Sequence, residues 1–311
     1  MLMEKIELRL ITGNDRWSVA DLIFLGTNYW SGIHLGRPTF TGGSQSTVVF
    51  FDVYEGLDPG CGVVAEDVET GSLAGVCFYH PRPSHVSLGY MCVHPGYVGL
   101  GIAKRMMRFI TDFADENGKP VRLVSSALNL DSYSLYTRGG FVPRGVYQDM
   151  LIPVPEGGLK NGVWNNSQVR DAGLKDVGPM VALEKKLAGL EREKDFRYFL
   201  ENKDGFWHVS VYENQKGEIE GFIVSSAHKY CNFIGPGAAT TARQAVQLIL
   251  GELDLHRGRT PLVLIPVMQQ AVVRELYGLG ARNCELHFSQ VRGDFQPIQG
   301  VTIPTFLPES S

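Results

Sequence analysis

The sequence predicts an α/β fold (an α+β mixed sheet, mostly antiparallel and flanked by helices), built as two tandem copies of one unit. Three observations carry that expectation. Apolar residues alternate with polar ones over short runs joined by turn residues, as in CGVVAEDVE, a turn at ETGS and LAGVCFYH across 61–80, which reads as a hairpin. From Gly99 the period changes to a helical one, with Ala103, Met106, Met107, Ile110, Phe113 and Ala114 on one face and Lys104, Arg105, Arg108, Asp112 and Asp115 opposite. Landmarks then return in the same order: VHPG at 93–96 with IGPG at 234–237, GKPVRLV at 118–124 with GRTPLVL at 258–264, and LYTRGG at 135–140 with LYGLGA at 276–281.

Taken in order, Ile6, Leu8 and Leu10 alternate with charged residues and make a first half-buried strand. Asn14 and Asp15 can cap a helix carrying Trp17, Ala20, Leu22 and Phe24. Residues 26–60, rich in glycine and aromatics, show no period that assigns them. The hairpin follows, then a strand HVSLGYMCV at 85–93 and the helix from Gly99, which stops at Gly118. VRLVSSA at 121–127 is a strand, DSYSLYTRG at 131–139 a short helix, and FVPRGVYQDMLIPV at 141–154 a strand pair or bent strand. PVPEGGLKNG at 153–162 has the composition of a linker. The expected domains are therefore 1–152 and 163–311.

The 311 residues suffice for two domains, and 44% hydrophobic with 20% charged is a globular profile. A net charge of −4 argues against a nucleic-acid partner, which would call for a basic surface. Cys61, Cys77, Cys92, Cys231 and Cys284 are odd in number, without a CxxC pair, and read as reduced core residues. The opening MLMEKIELRL carries charges where a signal peptide needs an apolar core, and no apolar run reaches the ~20 residues of a membrane span. A cytoplasmic protein with no membrane partner is expected.

The stretch MCVHPGYVGLGIAKR at 91–105 joins a strand to a helix through two glycines. A bare backbone at a helix N-terminus suits an anion, most often a phosphate. A Walker A loop would need GxxxxGK followed by Ser or Thr, but Lys104 is followed by Arg105. A dinucleotide fingerprint would need a third glycine where Lys104 stands, and alternating βαβ units where the upstream pattern shows hairpins.

The remaining arrangement resembles the GNAT N-acetyltransferase superfamily. Its phosphate loop, Q/R-x-x-G-x-G/A, falls on Val98, Gly101 and Ala103, and its second signature, N-x5-L-Y-x3-G-F, falls on Asn129, Leu135, Tyr136, Gly140 and Phe141. The resemblance covers residues 1 to about 152 and implies acetyl-CoA as co-substrate. The backbone of Val98, Gly99, Leu100, Gly101, Ile102, Ala103 and Lys104 would hold the pyrophosphate. The strand before the loop would splay from its neighbour, and Met91, Cys92 and Val93 would pair with the pantetheine arm, the Met91 N–H polarising the thioester carbonyl. Asn129 and Ser132 would contact the same arm. Tyr136 would return a proton to the leaving thiolate, with Tyr133 as the fallback. Val98 departs from the pattern, so weaker coenzyme binding is expected. The second copy reads Ala239, Thr240, Thr241, Ala242, Arg243 and Gln244 against the loop, without a glycine, and is expected to be degenerate; its Tyr277 is expected in the core.

The acceptor implied is a primary amine on a small molecule or peptide, with a homodimer as a possible assembly. Strand 85–93 carries no Asp or Glu, so the base is open; His80 and His85 flank the preceding turn, and His94 sits in a structural position. No metal is expected, since His80, His85 and His94 lack ligand spacing. Tyr29, Trp30 and His34, with Phe40 and Phe50, would shape the acceptor side, and Asp52 or Glu55 could meet a cationic substrate. The rival readings are a coenzyme A sensor or interaction scaffold without catalysis, or an acyltransferase with a longer acyl-CoA or a hydroxyl acceptor.

Overall fold

The computed structural model describes residues 5–159 and 167–310. Residues 1–4 of the opening run and 160–162 of the expected linker lie outside the described residues. The chain divides into two compact units. The first takes in the described residues up to Pro81, Val86–Leu123 and Phe306–Glu309; the second takes in Arg82–His85 and Val124–Thr305.

In the first unit β1 (Ile6–Leu10), α1 (Arg16–Leu35), α2 (Val48–Leu57), β2 (Gly62–Asp67), β3 (Ser72–Pro81), β4 (Val86–Val93) and α3 (Ile102–Glu116) lead to β5 (Val121–Ser126). β1 to β4 are successive antiparallel neighbours, and β5 runs parallel to β4. Residues 26–60 resolve into the end of α1 and all of α2. Val49, Phe50, Phe51, Val53, Tyr54 and Leu57 of α2 are all buried. A helix that is apolar on most sides leaves no period to read. α1 ends where Gly36 takes a left-handed φ of 68°. α3 is amphipathic, burying Ile102, Met106, Met107, Ile110 and Ala114. It lies so close to β3 at Gly75 that an added Cβ would stand 2.9 Å from Ile102 Cγ2.

The second unit starts from the last residues of β5 and continues with α4 (Leu130–Arg138), β6 (Val142–Leu151), β7 (Val169–Asp171), α5 (Val177–Ala188), α6 (Glu193–Glu201), β8 (Trp207–Glu213), β9 (Ile219–Ala227), β10 (Asn232–Ala239), α7 (Ala242–Leu255), β11 (Leu262–Pro266), α8 (Gln270–Gly278), β12 (Arg282–Arg292) and β13 (Val301–Ile303). Its strand order is β12-β6-β11-β10-β9-β8-β7, with β13 on β10. The expectation of a separate sheet for each copy is corrected by this order. β6, from the first copy, is hydrogen-bonded on both edges to strands of the second, Met150 facing Val263 of β11 and Asn283 of β12. β5 itself begins in one unit and ends in the other. The first residues past β6 are packed: Val154 is buried, and the N–H groups of Ile152 and Val154 donate to Pro261 and Arg259.

The same ion-pair arrangement occurs in each unit. Arg9 reaches Asp15 at 2.7 Å and also pairs with Glu66. In the second unit Arg170 reaches Asp176 at 2.9 Å and pairs with Glu213. Asp15 accepts the Thr12 N–H at 2.8 Å, as Asp176 accepts that of Gly173 at 2.8 Å. Asp15 therefore acts through Arg9 and Thr12, and makes no side-chain cap of α1.

One landmark pair is out of structural register. VHPG follows the end of β4, whereas IGPG lies inside β10, whose pairing with β9 shifts between Ile234 and Gly237. Residues 94–101 join β4 to α3, but only 240–241 join β10 to α7. Among the described residues no helix is long and apolar enough to cross a membrane.

Candidate active site

Strand β4 is irregular at one point, with a local cause. Cys77 faces Met91 and Tyr79 faces Leu88, so Phe78 alone stands across from Gly89 and Tyr90. This is a β-bulge, which bends a strand and re-aims its peptide groups. Gly89 is required there, because a Cβ would stand 2.7 Å from Tyr54 Cε1 and 3.2 Å from the Phe78 carbonyl oxygen. The Tyr54 hydroxyl accepts the Tyr90 N–H at 3.0 Å. Its ring is stacked between Phe78 at 4.3 Å and His80 at 4.8 Å. Burial pushes the Tyr54 phenol well above its ordinary pKa, and the Glu309 carboxylate adds to the push.

On its other edge β4 pairs with β5 only at Val86 and Ser87. Beyond Ser87, β4 has no further strand partner on that edge among the described residues. The His94 N–H donates to the Ala74 carbonyl at 2.9 Å. Bonded and non-bonded pairs alternate along an antiparallel ladder. Cys92, opposite Val76, therefore turns its peptide groups toward β3, while Met91 and Val93 turn theirs into the gap. Of the three residues expected to pair with a cofactor arm, Cys92 is thus directed elsewhere. Its thiol is buried beneath α1 and pushed up to about 12 by that burial.

The loop after β4 is pinned at two points. His94 Nδ1 accepts the Gly96 N–H at 3.0 Å, and the Tyr97 hydroxyl donates to Asp67 at 2.8 Å. Gly99 and Gly101 then take left-handed φ values of 85° and 72°. An added Cβ at either would meet nothing within 4 Å, so the demand is on the backbone, and the space beside it is open. Gly101 is the N-cap of α3 and supplies no side-chain cap. Among the described residues the N–H groups of Gly99, Gly101, Ile102, Ala103 and Lys104 have no acceptor. They form an electropositive end that a phosphate would satisfy. Val98, in the position of the family's polar residue, is exposed.

The second signature lies in the second unit. Asn129 caps α4, its Oδ1 accepting the Ser132 N–H at 3.0 Å. Tyr136 is buried, with its ring edge-on to Phe141 at 5.7 Å. Gly140 closes the turn with φ 87°.

The second copy lacks the corresponding features. Thr241 caps α7 in a box with Gln244, whose side chain also takes the Thr241 N–H at 2.9 Å. β10 pairs in parallel with β11 only at Phe233 and Ile234, and β13 then lines the same edge at Gly237–Ala239.

Among the expected acceptor residues, Tyr29 is exposed on α1 and Trp30 is stacked on His34 at 4.6 Å. Phe40, Phe50 and Tyr90 form one aromatic wall, with ring centroids 5.8 and 4.9 Å apart, and the Tyr90 hydroxyl bonds that of Thr27. His80 is buried against Asp58 at 2.5 Å, and His85 is buried with Nδ1 2.9 Å from the Ser84 hydroxyl. Asp52 is held by Arg16 through two bonds of 2.6 Å, and Glu55 accepts the Gly60 N–H. Tyr277 is half exposed and bonds Gln148 at 3.0 Å, so it is not the core residue expected.

Residues 33–141 match the Acetyltransferase (GNAT) family. Over that stretch, about a third of the chain, the sequence is similar to that family. No curated protein matches it in sequence. Among solved structures, a putative acetyltransferase from Pyrococcus horikoshii superposes with TM-score 0.75 at 17% identity, covering 99% of this chain and 95% of that one. N-myristoyltransferase of Saccharomyces cerevisiae, with bound myristoyl-CoA and inhibitors, gives 0.64 at 13% identity, covering 96% and 83%. A tandem GNAT protein from the clavulanic acid biosynthesis pathway gives 0.60 at 12% identity, covering 92% and 98%. At these identities the likeness is one of fold, and the fold is tandem-GNAT-like. Sequence reasoning missed Tyr54 and the bulge beside it. The one available signal was Gly89, a glycine inside an otherwise apolar strand.

Proposed function

We infer that this protein is a GNAT-type acyltransferase that moves an acetyl group from acetyl-CoA to a primary amine, using the first copy. The observation that carries the reading is the open edge of β4, which presents Met91 and Val93 and runs directly into the uncapped glycine turn at α3. An extended amide-bearing arm ending in a pyrophosphate fits that sequence of donors and acceptors. The likeness to an N-myristoyltransferase that binds myristoyl-CoA agrees with an acyl-CoA donor.

In the reaction, the neutral amine attacks the thioester carbon, and the carbonyl electrons move to oxygen, where the Met91 N–H stabilises them. Collapse expels the coenzyme thiolate, which takes a proton from Tyr136, while the attacking nitrogen, positively charged after attack, releases one proton to water, from which the tyrosinate is reprotonated. Tyr136 holds this role from the family pattern around it, and Asn129 and Ser132 the role of meeting the arm. Phe40, Phe50 and Tyr90 are the acceptor wall. The second copy is degenerate in this reading. Its α7 N-terminus is satisfied by Thr241 and Gln244, and its strand edge is occupied by β13.

The test is thermal unfolding with and without acetyl-CoA, on wild type and Gly101→Glu. Ligand at 100 times its dissociation constant stabilises by about 2.7 kcal/mol, a rise of roughly 4 °C for a chain of this size. Glutamate at Gly101 brings a negative charge to the anion site on a backbone that disfavours any side chain. The rise is expected in wild type and absent in the variant. No rise in either folded protein would overturn the acetyl-CoA reading.

A further inference from the structure

Strands β6 and β12 bring together three side chains that no step of the proposed reaction uses. Glu285 stands directly opposite Asp149, and His287 opposite Tyr147. A register shift between Asn283 and Glu285, with Cys284 as the extra residue, sets this pairing. Side chains two apart share a face of a strand, so Glu285 and His287 project together on the face of Asp149. One donor atom from each of Asp149, Glu285 and His287 lies within 4.8 Å of the others.

The charges at this point do not balance. Asp149 is only 2% exposed and Glu285 half-buried. Asp149 has His287 Nδ1 at 3.0 Å, and Glu285 accepts the Ser126 hydroxyl. Among the described residues no lysine or arginine pairs with either carboxylate. Two carboxylates held together, one buried and one half-buried, repel one another, and each favours a cation beside it. One imidazole, even protonated, leaves a net negative charge, whereas a dication balances both.

We propose that Asp149, Glu285 and His287 form a site for a divalent transition-metal ion, of the cobalt or zinc type. An imidazole with two carboxylates is a donor set such ions accept, whereas magnesium and calcium favour oxygen alone. Metal–ligand distances of ~2.0–2.2 Å place donors ~3–3.5 Å apart in a tetrahedral site. Small side-chain rotations close the present spacing to that value. Ser126, bonded to Glu285, is the outer partner that orients a ligand. The ion would clamp the first copy's β6 to the second copy's β12, since each contributes donors.

The experiment uses the full chain, stripped with chelator and free of any tag. Cobalt(II) is titrated while visible absorption is followed, and zinc is then added in competition. A saturable band at one equivalent per chain is expected, displaced by zinc and unaffected by magnesium at the same concentration. Glu285→Gln, at a half-buried position, is expected to abolish the band while keeping the metal-free Tm. Ser126→Ala is expected to weaken binding by about tenfold. Zinc is also expected to raise the Tm of wild type and leave that of Glu285→Gln unchanged. No saturable band, a band unchanged in Glu285→Gln, or equal competition by magnesium would overturn the assignment.

Discussion

A single phenol organises the candidate site at the residue scale. Tyr54 fills the space that Gly89 leaves vacant, stacks between Phe78 and His80, and accepts the Tyr90 N–H. The bulge that turns Met91 outward is therefore held from inside the core, by a hydroxyl that burial keeps protonated. Tyr54→Phe preserves the stacking and the volume but removes the acceptor. A buried donor deprived of its partner costs about 1–3 kcal/mol. The unfolding free energy, read by urea titration, is expected to fall by that amount. A catalysed rate that falls further than the loss of folded protein explains would tie the bulge to the reaction. An unchanged stability would mean that the Tyr54–Tyr90 bond does not hold the strand.

Helices α3 and α7 occupy equivalent places in the two copies, yet differ in what they bury. α3 covers its sheet with methionine and isoleucine. α7 carries Glu252, fully buried, which takes His208 Nδ1 at 2.9 Å and the hydroxyls of Ser210 and Ser225. His256, the C-cap of α7, lies 2.6 Å through Nδ1 from Asn232 Oδ1. The two histidines have opposite linkage. His208 is raised, first by its bond to Glu252, with Asp171 adding to the effect. Its stabilisation is complete below the unfolded value of ~6.5 and fades as pH rises through the folded one. His256 is lowered to about 4, first by burial, then by Arg259 and His208, against an opposing pull from Glu252. The unfolded chain binds that proton first, so stability is complete above ~6.5 and is lost as pH falls toward 4. Between pH 7 and 4.5 the His256 share of that loss is about 2–3 kcal/mol. His256→Gln, which keeps an amide donor for Asn232, is expected to lose less by that margin in urea titrations at the two pH values. An equal loss in both proteins would remove His256 from the account.

At the scale of the whole molecule, the chain has a tandem-GNAT-like fold whose two halves share one α/β plan and differ at the strand-to-helix turn. What was legible in the sequence was local: the hairpin at 61–80, the glycine turn at 99–101 and the pattern from Asn129 to Phe141, because period and glycine placement act over a few residues. α2 was not legible, since a helix buried on most sides has no period. The placement of β6 between β11 and β12 was not legible either, nor was the meeting of Asp149 with Glu285 and His287, because strand register across distant segments leaves no local mark. The twin ion pairs Arg9–Asp15 and Arg170–Asp176 could have been found, for their spacing is the same in both copies. The differentiation bears on how many ligands the chain takes. In the second copy the strand-to-helix connection shrinks to residues 240–241, α7 is capped from within, and β13 pairs along Gly237–Ala239 on the edge that β11 leaves. Gly235 admits this tail, since a Cβ there would stand 2.7 Å from the Pro304 carbonyl oxygen. A strand already hydrogen-bonded by its own chain offers nothing to a cofactor arm, and a capped helix offers no free N–H groups to a pyrophosphate. Isothermal titration with acetyl-CoA is therefore expected to give one ligand per chain, and Gly101→Glu is expected to abolish all binding. Two ligands per chain, or a residual binding step in Gly101→Glu, would require β13 to leave β10 and would make the second copy a coenzyme site as well.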